Sequence, residues 1–548
     1  MSSPIDETDA LRRARHGWRI HLGGSFDRHE DIVRLLDGDS LPGLFSATAQ
    51  REPERRALTI CEQSVSHGAL DEQGACIGGW LAQHRIGRGD AVLVSAQNSV
   101  AMVQAYLGVL HAGAVAVLAN PSLTEPELAH LVVDSGAAAA FASGSALECV
   151  DRVRSAYRVP RLIVGLDGGA RADAGIAETL QSPKQVGVPR ADPSDTAVLA
   201  YTSGTTGAAK AVTLSHRNLI ASIKAAMLAW RWAPDDLLVH ALPLFHQHGL
   251  GGVHATLIAG SEAIVHDRFD PEALCATISS QKASVLFGVP AMYERLVTWA
   301  AANENRPDLE SLRLVVSGSA PLSPALARRA RALFGEFPLE RYGLTESGLD
   351  VSNPFDGPRR PGTVGLPLPG IQLVIAGADG APVPDGQDGE IVLRGPQVFT
   401  GYRARPDANE LAFLGDGWFR TGDIGRIDAC DGYLSITGRI KELIITGGMN
   451  VYPNEIELAL ELDSAVAEAA VVGVASQRWG EEVVAVVVPT HADGFDADRV
   501  LANVRERLSP YKCPKRVVVV RELPRNASGK LLRRELAEVA GGRSAEPG

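Results

Sequence analysis

Residues Ala197–Leu214 read Ala-Val-Leu-Ala-Tyr-Thr-Ser-Gly-Thr-Thr-Gly-Ala-Ala-Lys-Ala-Val-Thr-Leu. Ala197–Tyr201 and Ala211–Leu214 carry the short apolar pattern of strands, so the loop between them is predicted to join a hairpin rather than open a helix. In the stretch Tyr201–Lys210, Ser203, Thr205 and Thr206 alternate with Gly204 and Gly207, and Lys210 closes the run. Glycines let backbone N–H groups turn towards an anion without steric cost, hydroxyls add donors, and a lysine adds a point charge. This is the composition of a polyphosphate cradle. It is not a Walker A loop, which places Gly directly before Lys and then Ser or Thr; here two alanines precede Lys210. A flexible surface turn has the same composition, so the rest of the chain must decide.

At 548 residues the chain exceeds what one hydrophobic core supports, and several domains are expected. Its 45% hydrophobic and 22% charged residues are those of a globular protein, and a net charge of −12 argues against nucleic acid as a main partner. Arg12, Arg13 and Arg15 cluster near the start, but no apolar signal core follows them. Cys61, Cys76, Cys149, Cys275, Cys430 and Cys513 are scattered without a Cys-x-x-Cys pair, which predicts reduced thiols in a cytoplasmic protein. The longest apolar run, Ala101–Ala119, is interrupted by Gln104, His111 and two glycines, so it reads as a helix followed by a strand and no membrane span is expected.

From about residue 55, short apolar strands alternate with helical segments: strands at 91–95, 115–118 and 137–142, helices at 100–112 and 126–135. That rhythm predicts parallel sheets covered by helices, and it recurs in strands at 237–242, 263–265, 285–288 and 312–317. Residues 183–193 read as a connecting loop. Between about Pro361 and Asp431, short strands with Gly, Pro and Asp turns suggest a small antiparallel or barrel-like subdomain. Beyond Gly438 the alternation returns, with helices at 453–462 and 497–508 and strands at 469–474, 483–488 and 516–520, enough for a separate domain.

Five further segments follow in order. Val316–Leu322 is a strand ending in the small-residue turn Gly318-Ser319-Ala320-Pro321, where a flat ring can approach backbone. Arg341–Ser347 reads Arg-Tyr-Gly-Leu-Thr-Glu-Ser and offers an aromatic face at Tyr342, a hydroxyl at Thr345 and a carboxylate at Glu346, with Gly343 between. A nucleotide needs those three things: a stacking partner, a phosphate donor and a magnesium ligand. Trp418–Asp423 places Asp423 after a Gly turn, where a carboxylate can accept two ribose hydroxyls. Gly438–Glu457 contains Arg439, Lys441, Gly447, Gly448 and Asn450, and Pro524–Arg534 sets Lys530 on a Gly turn before a short helix. Each has a structural alternative: Glu346 as a helix-start carboxylate, Asp423 as a turn residue, Arg439 as an ion-pair partner, Lys530 as one charge of a solvated patch. Their joint occurrence in this order points to one nucleotide-activating site.

With these motifs, the chain is identified as resembling the adenylate-forming superfamily of acyl-CoA synthetases, peptide-synthetase adenylation domains and beetle luciferases, over about residues 42–536. The resemblance implies an α/β fold: a large N-terminal domain of two α/β subdomains plus a distorted β-barrel, and a small mobile α+β C-terminal domain. It implies domains at 1–40 (an N-terminal extension), 41–440 and 441–548, with a hinge near Lys441. It implies that Thr202–Lys210 closes on the β- and γ-phosphates of ATP, that Gly318–Pro321 and Tyr342 sandwich the adenine, and that Thr345 contacts the α-phosphate. Glu346 would hold Mg²⁺, Asp423 with Arg439 the ribose, and Lys530 would bridge substrate carboxylate and α-phosphate. After domain rotation, Gly447, Gly448 and Asn450 would face the pantetheine arm of coenzyme A.

Leu242–Leu250 reads Leu-Pro-Leu-Phe-His-Gln-His-Gly-Leu, and in the family this segment flanks the acyl pocket. His246 matches a histidine of acid:CoA ligases; a core histidine is the plainer alternative. Amino-acid-activating members of the family instead carry an Asp within this segment to pair with the substrate amine, and its absence from Leu242–Leu250 disfavours an amino acid. Ser352–Gly370 and Gly288–Leu296, with Met292 and Arg295, are similar to malonyl-CoA synthetases, where Arg295 would meet a distal carboxylate unless it forms a surface ion pair. The small run Gly249–Val253 pulls the other way: Gly251 and Gly252 are predicted to enlarge the pocket for a bulky apolar acid. The expected activity is an AMP-forming acid:CoA ligase acting on such an acid, with malonate-type dicarboxylates, or acyl transfer to a carrier-protein phosphopantetheine, as alternatives. In the N-terminal extension, Trp18, Ile20, Leu22 and Phe26 pack on the body or form a homodimer contact; the residues leave both open.

Overall fold

The structure is a computed structural model that describes residue 34 and residues 36–542, except 170, 185–190, 203–208, 304–306, 448, 477, 492–493 and 526–530. The N-terminal residues 1–33, the loop residues Ser203, Gly204, Thr205, Thr206 and Gly207, and Gly448 and Lys530 therefore lie outside the described residues.

Two large sheets carry the body. The first has seven strands in the order Ala174–Gly175, Leu162–Gly165, Ala139–Ala142, Ala91–Ser95, Val115–Leu118, Thr196–Thr202 and Lys210–Ser215. All its neighbours are parallel except the last pair, the antiparallel hairpin that the Ala197–Leu214 pattern predicts, with Thr202 opposite Lys210. The second has nine strands in the order Leu366–Pro367, Val351–Ser352, Leu339–Tyr342, Leu314–Ser317, Val285–Gly288, Leu237–His240, Glu262–Val265, Arg56–Ile60 and Gln63–Ser66. Its six middle strands are parallel and its edges antiparallel. Central strands such as Ala91–Ser95, Val285–Gly288 and Leu314–Ser317 are buried at every position, as short Val/Leu/Ala runs covered on both faces must be.

The apolar run 101–119 resolves into the helix Val100–His111, capped by the Ser99 side chain on Met102 N, and the strand Val115–Leu118. Between residues 372 and 439 the strands Gln372–Ala376, Gly389–Arg394, Phe413–Leu414, Trp418–Ile427 and Leu434–Arg439 form an antiparallel sheet, the small subdomain expected from its turns. Isolated bridges from Val212 to Tyr402 and from Gly365 to Leu434 tie this region to its neighbours. Beyond it, Val466–Ser476, Gly480–Pro489 and Arg516–Val519 form a sheet with the hairpin Ile444–Thr446/Met449–Val451, covered by the helices Pro453–Glu461, Ala497–Arg505 and Arg533–Ala540. The apolar clusters of residues 444–540 share no member with the large cluster that runs from Leu36 to Leu434. All six cysteines are free thiols, and among the described residues no helix is long and apolar enough to cross a membrane.

Candidate active site

Parallel strands expose their carboxyl ends together, and ligands gather where loops leave them. In the nine-stranded sheet, Leu237–His240, Val285–Gly288, Leu314–Ser317 and Leu339–Tyr342 end side by side, and the segments that follow include 241–246, 318–321 and 343–346. A cavity of about 1540 Å³ opens there, and the hairpin residues Thr202 and Lys210 reach it from the other large sheet. Residues 441–444, 471–473 and 531–535 close it from the C-terminal side.

The loop after Tyr342 is folded tightly back on itself. Gly348 N donates to Leu344 O at 2.7 Å and Asp350 N to Tyr342 O at 3.0 Å. A Cβ on Gly343 would lie 1.9 Å from Gly348 O, so no side chain fits there. The fold-back brings Thr345 and Glu346 to the cavity wall, with Gln247 Nε2 donating to Thr345 O at 2.9 Å. Glu346 is buried, and its Oε1 accepts from the Tyr402 hydroxyl at 2.9 Å. Burial pushes its carboxyl above the ordinary range, against the lowering effect of that hydrogen bond.

Tyr342 is itself buried and donates through its hydroxyl to Asp423 Oδ2 at 2.7 Å. Asp423 in turn pairs with Arg439 Nε at 2.8 Å, because the two residues stand opposite each other on neighbouring strands. The structure thus joins Tyr342, Asp423 and Arg439 in one chain of contacts, and Asp423 and Arg439 line the cavity. In the 318–321 turn, Ser319 lines the cavity with φ +69, and its hydroxyl lies 3.2 Å from His248 Nδ1; Ala320 and Pro321 follow it in the turn. Gly318 is needed for a reason the motif does not announce: a Cβ there would lie 2.3 Å from Nε of the buried Arg341. Burial lowers the Arg341 guanidinium to about 10, and its Nε has no hydrogen-bond partner among the described residues.

His246 precedes the helix Gln247–Ala259 and faces the open cavity; the surrounding walls hold its ring below its ordinary pKa. Gly249 and Gly251 line the cavity. At Gly249 a Cβ would strike Pro243 O at 2.6 Å, so this glycine serves the close turn into the helix. Gly252 departs from the expectation that it enlarges the pocket: a Cβ there would lie 2.7 Å from Leu238 Cδ2, so this residue faces the sheet and sets how closely the helix packs on it. Met292 and Arg295 also line the cavity. The Arg295 guanidinium lies over the Phe269 ring, 4.7 Å from its centroid, and Nη2 is 3.5 Å from Phe269 O, a cation–π contact in place of the expected surface ion pair.

The exposed Lys441 occupies the short turn Ile440–Glu442 at the cavity edge. Gly447, with φ +56, donates its N–H to Trp479 O at 2.7 Å and is not among the described residues that line the cavity, and Asn450 pairs through its backbone with Ile445. Sequence reasoning missed Tyr402, and it missed the aromatic wall. Trp230 and Trp232, just beyond the helix His216–Ala229, meet the Phe287 ring edge-on at centroid distances of 5.8 Å, and all three line the cavity. Each indole N–H is spent elsewhere, Trp230 on Ser352 Oγ at 2.9 Å and Trp232 on Ser261 Oγ at 3.1 Å. The run Trp230-Arg231-Trp232 was the available signal. Among the described residues no group of three or more His, Cys, Asp or Glu side chains converges as a metal site.

Residues 45–403 match the family described as AMP-binding enzyme, and residues 455–530 match the AMP-binding enzyme C-terminal domain. The chain is 35% identical over 494 residues to a feruloyl-CoA synthase of an Amycolatopsis species, covering 89% of this chain and 96% of that protein. It is 33% identical over 550 residues to a long-chain-fatty-acid–CoA ligase of Yersinia pestis, covering 93% and 96%. The crystal structure of ATP-bound MatB from Rhodopseudomonas palustris superposes with a TM-score of 0.85 at 34% identity, over 91% of this chain and 99% of that one.

Proposed function

Because this chain belongs to the AMP-binding enzymes, as an AMP-forming acyl- or aryl-CoA ligase of the adenylate-forming superfamily that uses ATP and coenzyme A, we propose that the acid it activates is a bulky apolar monocarboxylic acid. The observation that carries this reading is the wall of Trp230, Trp232 and Phe287, continued by Ile223, Met227 and Leu250 in the same cavity as Thr345 and Glu346. An apolar chain or ring bound there leaves water without leaving a buried charge unpaired. Malonate is the second reading: it needs a cation at the far end of the pocket, and Arg295 is the candidate, though it now rests on Phe269.

In the first half-reaction a carboxylate oxygen attacks the α-phosphorus of ATP and pyrophosphate leaves. Like charges repel, so both partners must be neutralised by groups fixed in advance. On this reading Thr202 and Lys210, with the 203–207 loop, receive the leaving pyrophosphate, Thr345 contacts the α-phosphate, and Lys530 bridges it to the attacking carboxylate. Ser319 and the rest of 318–321, with Arg341, Tyr342 and Gly343, border the adenine, and Asp423 with Arg439 takes the ribose. Glu346 suits a magnesium ion, because Mg²⁺ in nucleotide sites takes one or two carboxylates and completes its shell with phosphate oxygens and water. Bound there, the ion would neutralise phosphate charge.

In the second half-reaction the thiol of coenzyme A attacks the acyl carbon, and AMP and a proton leave. The position of Gly447 outside the cavity lining supports a rotation of residues 441–548 about Lys441 that withdraws Lys530 and brings Gly447, Gly448 and Asn450 in. A cytoplasmic location, and coenzyme A as the acceptor with a carrier-protein phosphopantetheine as the alternative, complete the proposal. ATP–pyrophosphate exchange across mono- and dicarboxylic acids tests it: bulky aromatic or fatty acids should give the fastest exchange, and a preference for malonate would replace the reading with the second one. Consumption of the acyl adenylate by a holo carrier protein but not by coenzyme A would reassign the acceptor.

A further inference from the structure

Tyr402 belongs to none of the motifs read in the sequence, yet it touches two of the groups to which those motifs assign chemistry. Its backbone is gripped from both sides. On one side Val212 bridges Tyr402, Arg403 N donates to Ala211 O at 2.9 Å, and Thr213 Oγ1 donates to Gly401 O at 2.5 Å, all on the strand that begins with Lys210. On the other, Tyr402 N donates to Asn409 Oδ1 at 2.7 Å and Asn409 Nδ2 donates to Tyr402 O at 3.0 Å. Gly401, at φ +145, makes this possible, since a Cβ there would lie 2.9 Å from Asn409 Nδ2. Phe399 packs edge-on against the ring at 5.0 Å.

The ring so fixed meets charges of opposite sign. Its hydroxyl donates to Glu346 Oε1 at 2.9 Å, and Lys210 Nζ lies 5.1 Å from the ring centroid, within the range of a cation–π contact. A lysine and a carboxylate this near a shared neighbour would ordinarily pair with each other and cancel. Tyr402 takes the carboxylate by its edge and the ammonium by its face.

We propose that Tyr402 is a positioning residue of the nucleotide site, fixing Glu346 towards the metal with its hydroxyl and keeping Lys210 off that carboxylate, towards phosphate, with its ring. The proposal rests on the reading of Glu346 as the magnesium ligand and Lys210 as a phosphate contact. A loose carboxylate would still fold into place, but it would pay an ordering cost each time the ion bound.

The test is equilibrium binding of ATP to the full chain by calorimetry, in EDTA and along a Mg²⁺ titration, with no turnover involved. Tyr402→Phe removes the hydroxyl and keeps the ring. It should leave ATP affinity in EDTA within about two-fold of the parent and raise the Mg²⁺ midpoint about five-fold. Tyr402→Leu removes the ring as well and should also weaken ATP binding in EDTA, by about two- to five-fold. An unchanged Mg²⁺ midpoint in Tyr402→Phe, or equal losses with and without the ion, overturns the proposal in favour of a packing role. Glu346→Gln separates the two failures: if Mg²⁺ still enhances ATP binding in that variant, the metal assignment itself falls, and the role of Tyr402 with it.

Discussion

At Gly251, which lines the cavity, an added Cβ would meet, among the described residues, only Ile223 Cδ1, at 3.1 Å; one residue on, the same addition presses on the sheet at Leu238. Gly251→Trp should therefore fill the acyl end, lowering exchange with bulky acids by about ten-fold or more while sparing short ones. Unchanged selectivity in the exchange assay would displace the acyl pocket from this helix. Glu340, under the 318–321 turn, gives a second residue-scale expectation. Its Oε1 accepts from Leu322 N at 2.9 Å, its Oε2 has no hydrogen-bond partner among the described residues, and burial pushes its carboxyl up to about 8. The folded chain keeps a proton that the unfolded chain has already released, so the stability this supplies is present below an unperturbed Glu pKa of about 4.3 and is lost as pH rises towards 8. Asp350, pushed to about 7 by burial, acts in the same direction. Glu340→Gln keeps the acceptor and removes the titration. Its melting temperature should fall less than the parent's between pH 5 and 8, a difference on the order of 2 kcal/mol in stability, and parallel curves would refute it.

The elements of the body were largely legible. Strands at 91–95, 115–118 and 285–288 match the expectation to the residue, because a short Val/Leu/Ala run covered on both faces has little choice but a central parallel strand. What the sequence hid was direction and closure. Gly251 and Gly252 look alike as letters, and only the helix's seat on Leu238 separates them. Gly318 reads as room for a flat ring, but its nearest neighbour is Arg341. Tyr402 could not be found by spacing, since its partners Lys210 and Glu346 are distant in the chain and meet it only when the 399–405 segment crosses the hairpin. The 343–350 loop is the element on which the site turns. Gly343→Ala would set a methyl 1.9 Å from Gly348 O. That backbone cannot yield without moving Thr345 and Glu346, so ATP binding should fall at least about ten-fold, with a stability loss of about 2 kcal/mol or more. Calorimetry and thermal melting check the two halves; normal ATP binding would mean the loop relaxes elsewhere.

At the scale of the molecule, two sets of cores meet at one cavity. The clusters of residues 444–540 are complete without the body, and Arg533 ties that unit together from within: its guanidinium donates to Glu457 at 2.7 and 3.1 Å and to Val471 O at 2.9 Å, and it pairs with Glu442 at 2.7 Å. Glu442 adjoins Lys441, so the segment proposed as the hinge is bound to the tail three residues after Lys530. A unit built this way can turn as one piece. If it does, Lys530 serves only the first half-reaction: Lys530→Ala should abolish adenylation yet leave thioester formation from a supplied acyl adenylate largely intact, and equal loss in both assays would contradict the role.

The two tryptophans of the cavity wall have already given their only hydrogen-bond donors to Ser352 and Ser261. A surface with nothing to offer a hydroxyl has no means of demanding one, and apolar walls of this kind separate neighbouring homologues by only about 10–200-fold. On the proposed reading, that stretch of the enzyme measures girth and is deaf to decoration. Which thioester accumulates is then decided by the abundance of competing acids around the enzyme, and impurities of similar shape pass through.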